Sequence, residues 1–138
     1  GAGQSVTRYL LDTNIVSDLV RRPQGVVAGH IQRVGEGSVA TSIIVAAELR
    51  FGAEKNGSQR LPDRIDAILG AMEILPFEPP ADAAYGTIRA SLEKAGRPIG
   101  ANDLLIAAHA LALGHTLVTD NERDFRPVPE LSMVNWLR

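Results

Sequence analysis

Cysteine is absent from the 138 residues, which removes disulfides, thiolate nucleophiles and cysteine-bound zinc together and fits a reducing compartment. Any chemistry must use oxygen or imidazole groups. Aromatic side chains are few, with three Phe, two Tyr and one Trp, so a base-stacking platform of the kind used by single-strand binding modules is not expected. Nor is there an excess of one charge. Fourteen basic and sixteen acidic side chains leave a formal net charge of −2, which excludes capture of polyanions by bulk charge and makes any nucleic-acid affinity a local matter. Arg21, Arg22, Arg50, Arg97, Arg123 and Arg126 are the candidates for a local basic rim. No apolar run approaches the roughly 20 residues of a membrane-spanning helix, and the chain does not open like a signal peptide. The expectation is a cytoplasmic protein without membrane association.

The length suits one ordinary hydrophobic core rather than two. Gly1-Ala2-Gly3-Gln4-Ser5 is small, polar and unpatterned and reads as an appended remnant, leaving residues 6–138 as a single domain. Val6 to Leu11 is a short apolar stretch that ends at Asp12, where Asp12-Thr13-Asn14 offers capping side chains to a helix carrying Ile15, Val16, Leu19 and Val20. The pattern then predicts a helix over 26–34, a strand over 39–42, a helix from Ile43 to about Lys55, and a loop marked by Gly57, Ser58 and Pro62. A further helix to about Met72, a brief strand at Ile74-Leu75 and a helix from Ala81 to about Ala95 follow. Asn102-Asp103 reads as the cap of an apolar helix that Gly114 stops, with strands at 116–119 and 131–134. Short apolar strands alternating with helices indicate an α/β fold, a central parallel sheet of four or five strands with helices on both faces. Ligands in such folds gather at the carboxyl ends of the strands, where strand order reverses.

Several acids sit where packing does not ask for them. Leu10-Leu11-Asp12-Thr13-Asn14 and Leu117-Val118-Thr119-Asp120-Asn121 both close an apolar run with an acid beside Thr and Asn. Capping would account for either acid alone; the recurrence points to a shared site. Glu48 has Ile44, Val45, Phe51 and Gly52 as its helical neighbours, so it is either a rim residue with its head in water or a carboxylate that needs a charge partner from elsewhere. Asp103 suits a helix start electrostatically, yet its neighbours Ile99, Gly100, Ile106 and Ala107 turn it toward the interior. Acids converging in one pocket repel, and a hard divalent cation such as Mg²⁺ or Mn²⁺ is the simplest remedy for an oxygen-only ligand set.

Other chemistries find less support. His109 reads as a core or edge histidine, and His30 and His115 as helix-surface and strand-entry residues; their spacing matches no metal motif. Ser17, Ser42, Ser91 and Ser132 lack a nucleophile-elbow setting, and the glycine-rich stretches lack a Gly-Lys-Ser/Thr ending. A phosphoacceptor receiver domain also places Asp at parallel strand ends, but its paired acid and its Lys are not evident.

Taken in order, these segments resemble the PIN-domain ribonucleases, in particular the VapC-type toxins of bacterial toxin–antitoxin pairs. The resemblance rests on Leu11-Asp12-Thr13-Asn14, Ala47-Glu48-Leu49 with Gly52, Pro98-Ile99-Gly100-Ala101-Asn102-Asp103 leading to Ile106-Ala107-Ala108-His109-Ala110, and Leu117-Val118-Thr119-Asp120-Asn121 with Asp124-Phe125. The ending, with Val128-Pro129-Glu130-Leu131 and Asn135-Trp136, is similar too, so the likeness covers essentially everything after Ser5. It implies a PIN-like three-layer fold and a metal-assisted endoribonuclease using Mg²⁺ or Mn²⁺. Asp12 and Asp103 would hold the ion and Glu48 would be the third acid of the pocket, with Asp120, Asp124 or both as the fourth. One of Asp120 and Asp124 would ligate while the other acted through water or an Arg, which makes Glu48 and Asp120 the further metal ligands. Thr119 and Asn14 would support the ligands or merely cap turns. It also implies an RNA substrate such as tRNA, a cognate antitoxin and a homodimer. An inactive, partner-binding relic of the same fold is the alternative.

Overall fold

The computed structural model describes residues 6–138; the remnant expected at residues 1–5 lies outside the described residues. Within them, five strands pair in parallel in the order β3-β2-β1-β4-β5: β1 (Tyr9–Leu11), β2 (Val39–Ser42), β3 (Glu73–Leu75), β4 (Thr116–Val118) and β5 (Met133–Val134). The helices are α1 (Thr13–Arg21), α2 (Val26–Val34), α3 (Ile43–Asn56), α4 (Arg60–Gly70), α5 (Ala81–Lys94), α6 (Ala101–Leu113) and the short α7 (Glu122–Phe125).

Local chemistry explains most boundaries. The Asp12 carboxylate accepts from the Thr13 N–H at 2.8 Å and starts α1, while the Ser42 hydroxyl accepts from the Ile44 N–H at 3.0 Å and starts α3 directly off β2. Gly57 and Gly114 end α3 and α6 in the left-handed conformation, at φ 75° and 69°. Two expectations need correcting, and one element went unforeseen. Pro62 does not mark a loop but sits in the first turn of α4, where its missing N–H costs nothing. Asn102 and Asp103 are not caps: Gly100 holds that position and both lie inside the first turn of α6. Finally, α7 gave no periodic signal because it is a single turn, anchored by the fully buried Phe125.

Right-handed crossovers settle the layering. The chain steps from β1 to β2 to β3 through α1–α4, then returns past β2 and β1 to β4 through α5 and α6, which places the two helix groups on opposite faces. Accordingly α1 packs on α2, α3 and α4, and α5 on α6. Leu10, Leu11, Ile15, Val16, Ile106, Leu117, Val118 and Phe125 are wholly shielded from solvent and form the centre of the core; truncating such a side chain to Ala costs about 2–5 kcal/mol. Trp136 closes the C-terminal end, against Tyr9 and stacked on His30 at 5.1 Å. No helix among the described residues is long and apolar enough to cross a membrane. Strand order reverses between β1 and β4, so the loops leaving those two strands frame the crevice in which a ligand would sit.

Candidate active site

Leu11 pairs with Val118 across that reversal, and the Asp12 N–H extends the ladder by donating to the Val118 carbonyl at 2.9 Å. The next residue on each strand is thus Asp12 beside Thr119, not Asp12 beside Asp120. Asp12 is only 2 % exposed. Its Oδ1 takes the Thr13 N–H, and its Oδ2 takes the Thr119 hydroxyl at 2.7 Å. Burial raises its pKa; the Thr119 and Thr13 bonds oppose that rise, and the nearby Glu48 charge adds to it.

Glu48, half-buried on α3, reaches the same crevice, and its Oε1 accepts from the Thr13 hydroxyl at 3.1 Å. The charge partner that its apolar neighbours called for is therefore a hydroxyl rather than a cation. Among the described residues Glu48 has no ion pair, and Arg50 turns away to Asp66 at 2.7 Å. Asp103 stands in the first turn of α6, where the helix dipole favours its charge. Its pKa is nonetheless pushed up to about 6, first by burial and then by the charges of Asp12, Asp124 and Glu48. Four acids from four different segments thus share one electrostatic neighbourhood.

Asp12, Glu48 and Asp103 line an open cleft of about 360 Å³ together with Thr13, Asn14, Ser17, Arg21 and Asn121. The two remaining acids diverge. Asp124, on α7, lies outside the lining but close enough for its charge to act on Asp103. Asp120 is exposed, its Oδ1 takes the Asn135 side-chain N–H at 2.9 Å, and it is not among the charges that raise Asp103. Its backbone N–H approaches the Asn14 Oδ1 at 3.5 Å, so Asn14 ties the two loops together while lining the cleft. A larger groove of about 800 Å³, between α1–α2 and α4–β3, contains none of these acids.

Thr13, Ser17 and Asn121 were not recognised from the sequence as part of the site. Thr13 and Ser17 could have been, because residues 13, 17 and 21 form a polar stripe at helical spacing along α1, opposite the apolar Ile15, Val16, Leu19 and Val20. Asn121 carried no such signal. His109 is a core residue, 1 % exposed, with Nδ1 against the Ser42 hydroxyl at 2.8 Å and its pKa lowered by burial, so it is neutral near pH 7.

Among the described residues no three acidic or imidazole side chains already converge as a ready ligand set. The donors nevertheless suit a hard cation. All are carboxylate oxygens, the Asp103 carboxyl is raised first by burial and then by the charges of Asp12, Asp124 and Glu48, a rise that a bound cation would offset, and Mg²⁺ keeps several waters and takes only one or two carboxylates directly.

A parallel three-layer α/β domain with three carboxylates lining one cleft at its switch point is the class that fold and cleft define. The chain belongs to the PIN domain family, whose model matches residues 9–131. It is 40% identical over 135 residues to Ribonuclease VapC2 of Haemophilus influenzae, covering 94% of this chain and 98% of that one. It is 32% identical over 133 residues to the tRNA(fMet)-specific endonuclease VapC of Shigella flexneri, with the same coverage of 94% and 98%. Among solved structures it superposes on VapBC2 from Rickettsia felis, bound to a DNA fragment from its promoter, with a TM-score of 0.88 and 35% identity, covering 94% of this chain and 99% of that one. The family membership removes the receiver-domain rival.

Proposed function

We propose that this chain is an endoribonuclease toxin that hydrolyses RNA phosphodiester bonds with a divalent cation, Mg²⁺ or Mn²⁺, and is restrained by a cognate antitoxin. The observation that carries the reading is that Asp12, Glu48 and Asp103 line one cleft, where burial and the charges of Asp12, Asp124 and Glu48 push the Asp103 carboxyl up to about 6. Such a cluster is destabilising to a protein that has no use for it. Likeness to enzymes named as ribonucleases supports the activity, and likeness to VapBC assemblies supports the antitoxin.

Asp12 and Asp103 would hold the cation. Once bound, it supplies charge compensation at the phosphoryl group and activation of the attacking water. Asp12 is fixed for this role by the Thr119 hydroxyl and the Thr13 N–H, so it needs no reorganisation. Glu48 uses one oxygen on Thr13 and has the other to orient water. Asp124, rather than Asp120, is the fourth acid of this reading, because its charge reaches Asp103. A tRNA target accords with the Shigella relative's name. Self-association into a homodimer and a cytoplasmic location complete the proposal.

The test is incubation of the purified protein with total RNA and with tRNA, in Mg²⁺ or Mn²⁺ and in EDTA. Cleavage that EDTA abolishes is the expected result. Undiminished cleavage in EDTA overturns the metal assignment, and no cleavage under any condition favours the inactive, partner-binding relic.

A further inference from the structure

The cleft that should receive RNA is lined by three carboxylates, and the chain carries a net charge of −2, so an incoming polyanion meets repulsion before it meets any ligand. Among the described residues lining the cleft, Arg21 is the single cation. It lies about two and a half turns along α1 from Asp12, on the same helix face as Thr13 and Ser17, with roughly 14 Å of helix axis between residues 12 and 21. Asp18 sits one turn before it and is the other unusual residue of α1. Its side chain is 5 % exposed, its Oδ1 is bound by the Arg22 guanidinium and lies 3.9 Å from that of Arg21, and its buried Oδ2 has no hydrogen-bond partner among the described residues. A half-satisfied buried carboxylate is a cost that an apolar residue at this place would avoid.

We infer that Arg21 is a phosphate-binding residue for the RNA backbone and that Asp18 is a positioning residue that holds it at the rim of the cleft. The inference rests on the ribonuclease reading above and adds a binding subsite to it. The distance along α1 sets Arg21 on a phosphate flanking the scissile one, where a guanidinium contributes affinity and register without reading sequence. Asp18 would act by keeping Arg21 and Arg22 folded along α1 instead of free in solvent. That restriction lowers the ordering cost when RNA arrives.

Salt dependence isolates this role from folding or chemistry. Binding of a fluorescein-labelled, mixed-sequence single-stranded RNA is followed by anisotropy over a range of KCl, with Mg²⁺ present and in an Asp12→Asn background that prevents turnover. Loss of one phosphate contact should lower the slope of log K against log salt by about 0.7. Arg21→Ala is expected to show that change, with a several-fold loss of affinity at low salt that narrows as salt rises, and Arg21→Lys to restore the slope. An unchanged slope and affinity in Arg21→Ala would overturn the inference. Asp18→Asn supplies the opposing sign. Simple electrostatics has removal of an acid near the cleft tighten RNA binding, whereas the positioning role has it weaken binding, so tighter binding by Asp18→Asn overturns the part given to Asp18. If the wild-type chain neither cleaves nor binds RNA, the ribonuclease reading itself fails. If it cleaves but the slope does not respond to residue 21, only this inference fails.

Discussion

β1 and β4 finish on nearly the same letters, Leu-Asp-Thr-Asn and Val-Thr-Asp-Asn, yet the two ends do different things. At the β1 end the acid follows the last paired residue directly, is buried, and accepts two hydrogen bonds inside the cleft. At the β4 end Thr119 takes that place, and the acid one residue later is exposed and bonded to Asn135. A shift of one residue against a period of two sends a side chain to the other side of the strand. The resemblance between the two motifs is real, but the residue that stands opposite Asp12 is Thr119, whose hydroxyl donates to the Asp12 carboxylate. The second acid of that end comes from α7 as Asp124.

The sharpest break in this comparison is an activity measurement. Asp12→Ala and Asp103→Ala should each lower kcat/KM by about a thousandfold or more, equivalent to ~4 kcal/mol of transition-state stabilisation, whereas Asp120→Ala should stay within about twofold of wild type. A severe loss in Asp120→Ala would restore the symmetric reading of the two strand ends. Next in size is the contrast within the β4 end. Asp124→Asn should reduce cleavage about tenfold while Asp120→Asn does not; equal, full activity in both variants would mean that three acids suffice.

Thermal or urea denaturation probes the Thr119 arm. Thr119→Val keeps the shape but leaves the buried Asp12 Oδ2 and the Asn121 N–H without their partner, so a loss of about 1.5–3 kcal/mol is expected. No loss would mean that water replaces the hydroxyl. Conversely, Ser or Ala in place of Asp120 should cost less than about 0.5 kcal/mol, as for exposed sites generally.

Smaller than the loss of the Thr119 hydroxyl is a pH dependence. Asp103 has a folded-state pKa of about 6 against an ordinary value of 3.8. The folded chain therefore holds its proton more tightly, and without metal stability falls as pH climbs from about 4 to about 6. Asp103→Asn has no proton to lose and should be flat across that window at this site. Near pH 7 it should be more stable than metal-free wild type by about 1 kcal/mol, a figure reduced for solvent screening of a half-exposed group. Asp12→Asn should gain less, because Asp12 already has the Thr13 and Thr119 hydrogen bonds. A metal-free wild type whose stability rises between pH 4 and 6 as much as that of Asp103→Asn would contradict the shared-pocket electrostatics.

The sequence by itself determined the class of fold and the three acids that line the cleft. Apolar strands of period-free burial alternating with amphipathic helices leave little choice but a covered parallel sheet, and Ser42, Gly57 and Gly114 punctuate their helices by local rules that need no tertiary partner. Asp12, Glu48 and Asp103 were legible for the opposite reason, since each is an acid set among apolar neighbours where burial must be answered by something else. What answers it was not legible. That Thr119 stands where a second Asp was expected depends on the pairing of β1 with β4 across more than a hundred residues of chain; that Thr13 serves both Asp12 and Glu48 depends on the approach of α3 to α1, and that Asp124 rather than Asp120 acts on Asp103 depends on the placing of α7 beside α6. Register between distant strands and the approach of α3, α6 and α7 to one sheet edge are properties of the packed molecule. Only the tertiary structure could decide them, because a carboxylate's role here is set by the charges and donors brought within a few ångströms of it, and those come from four separate segments of the sequence.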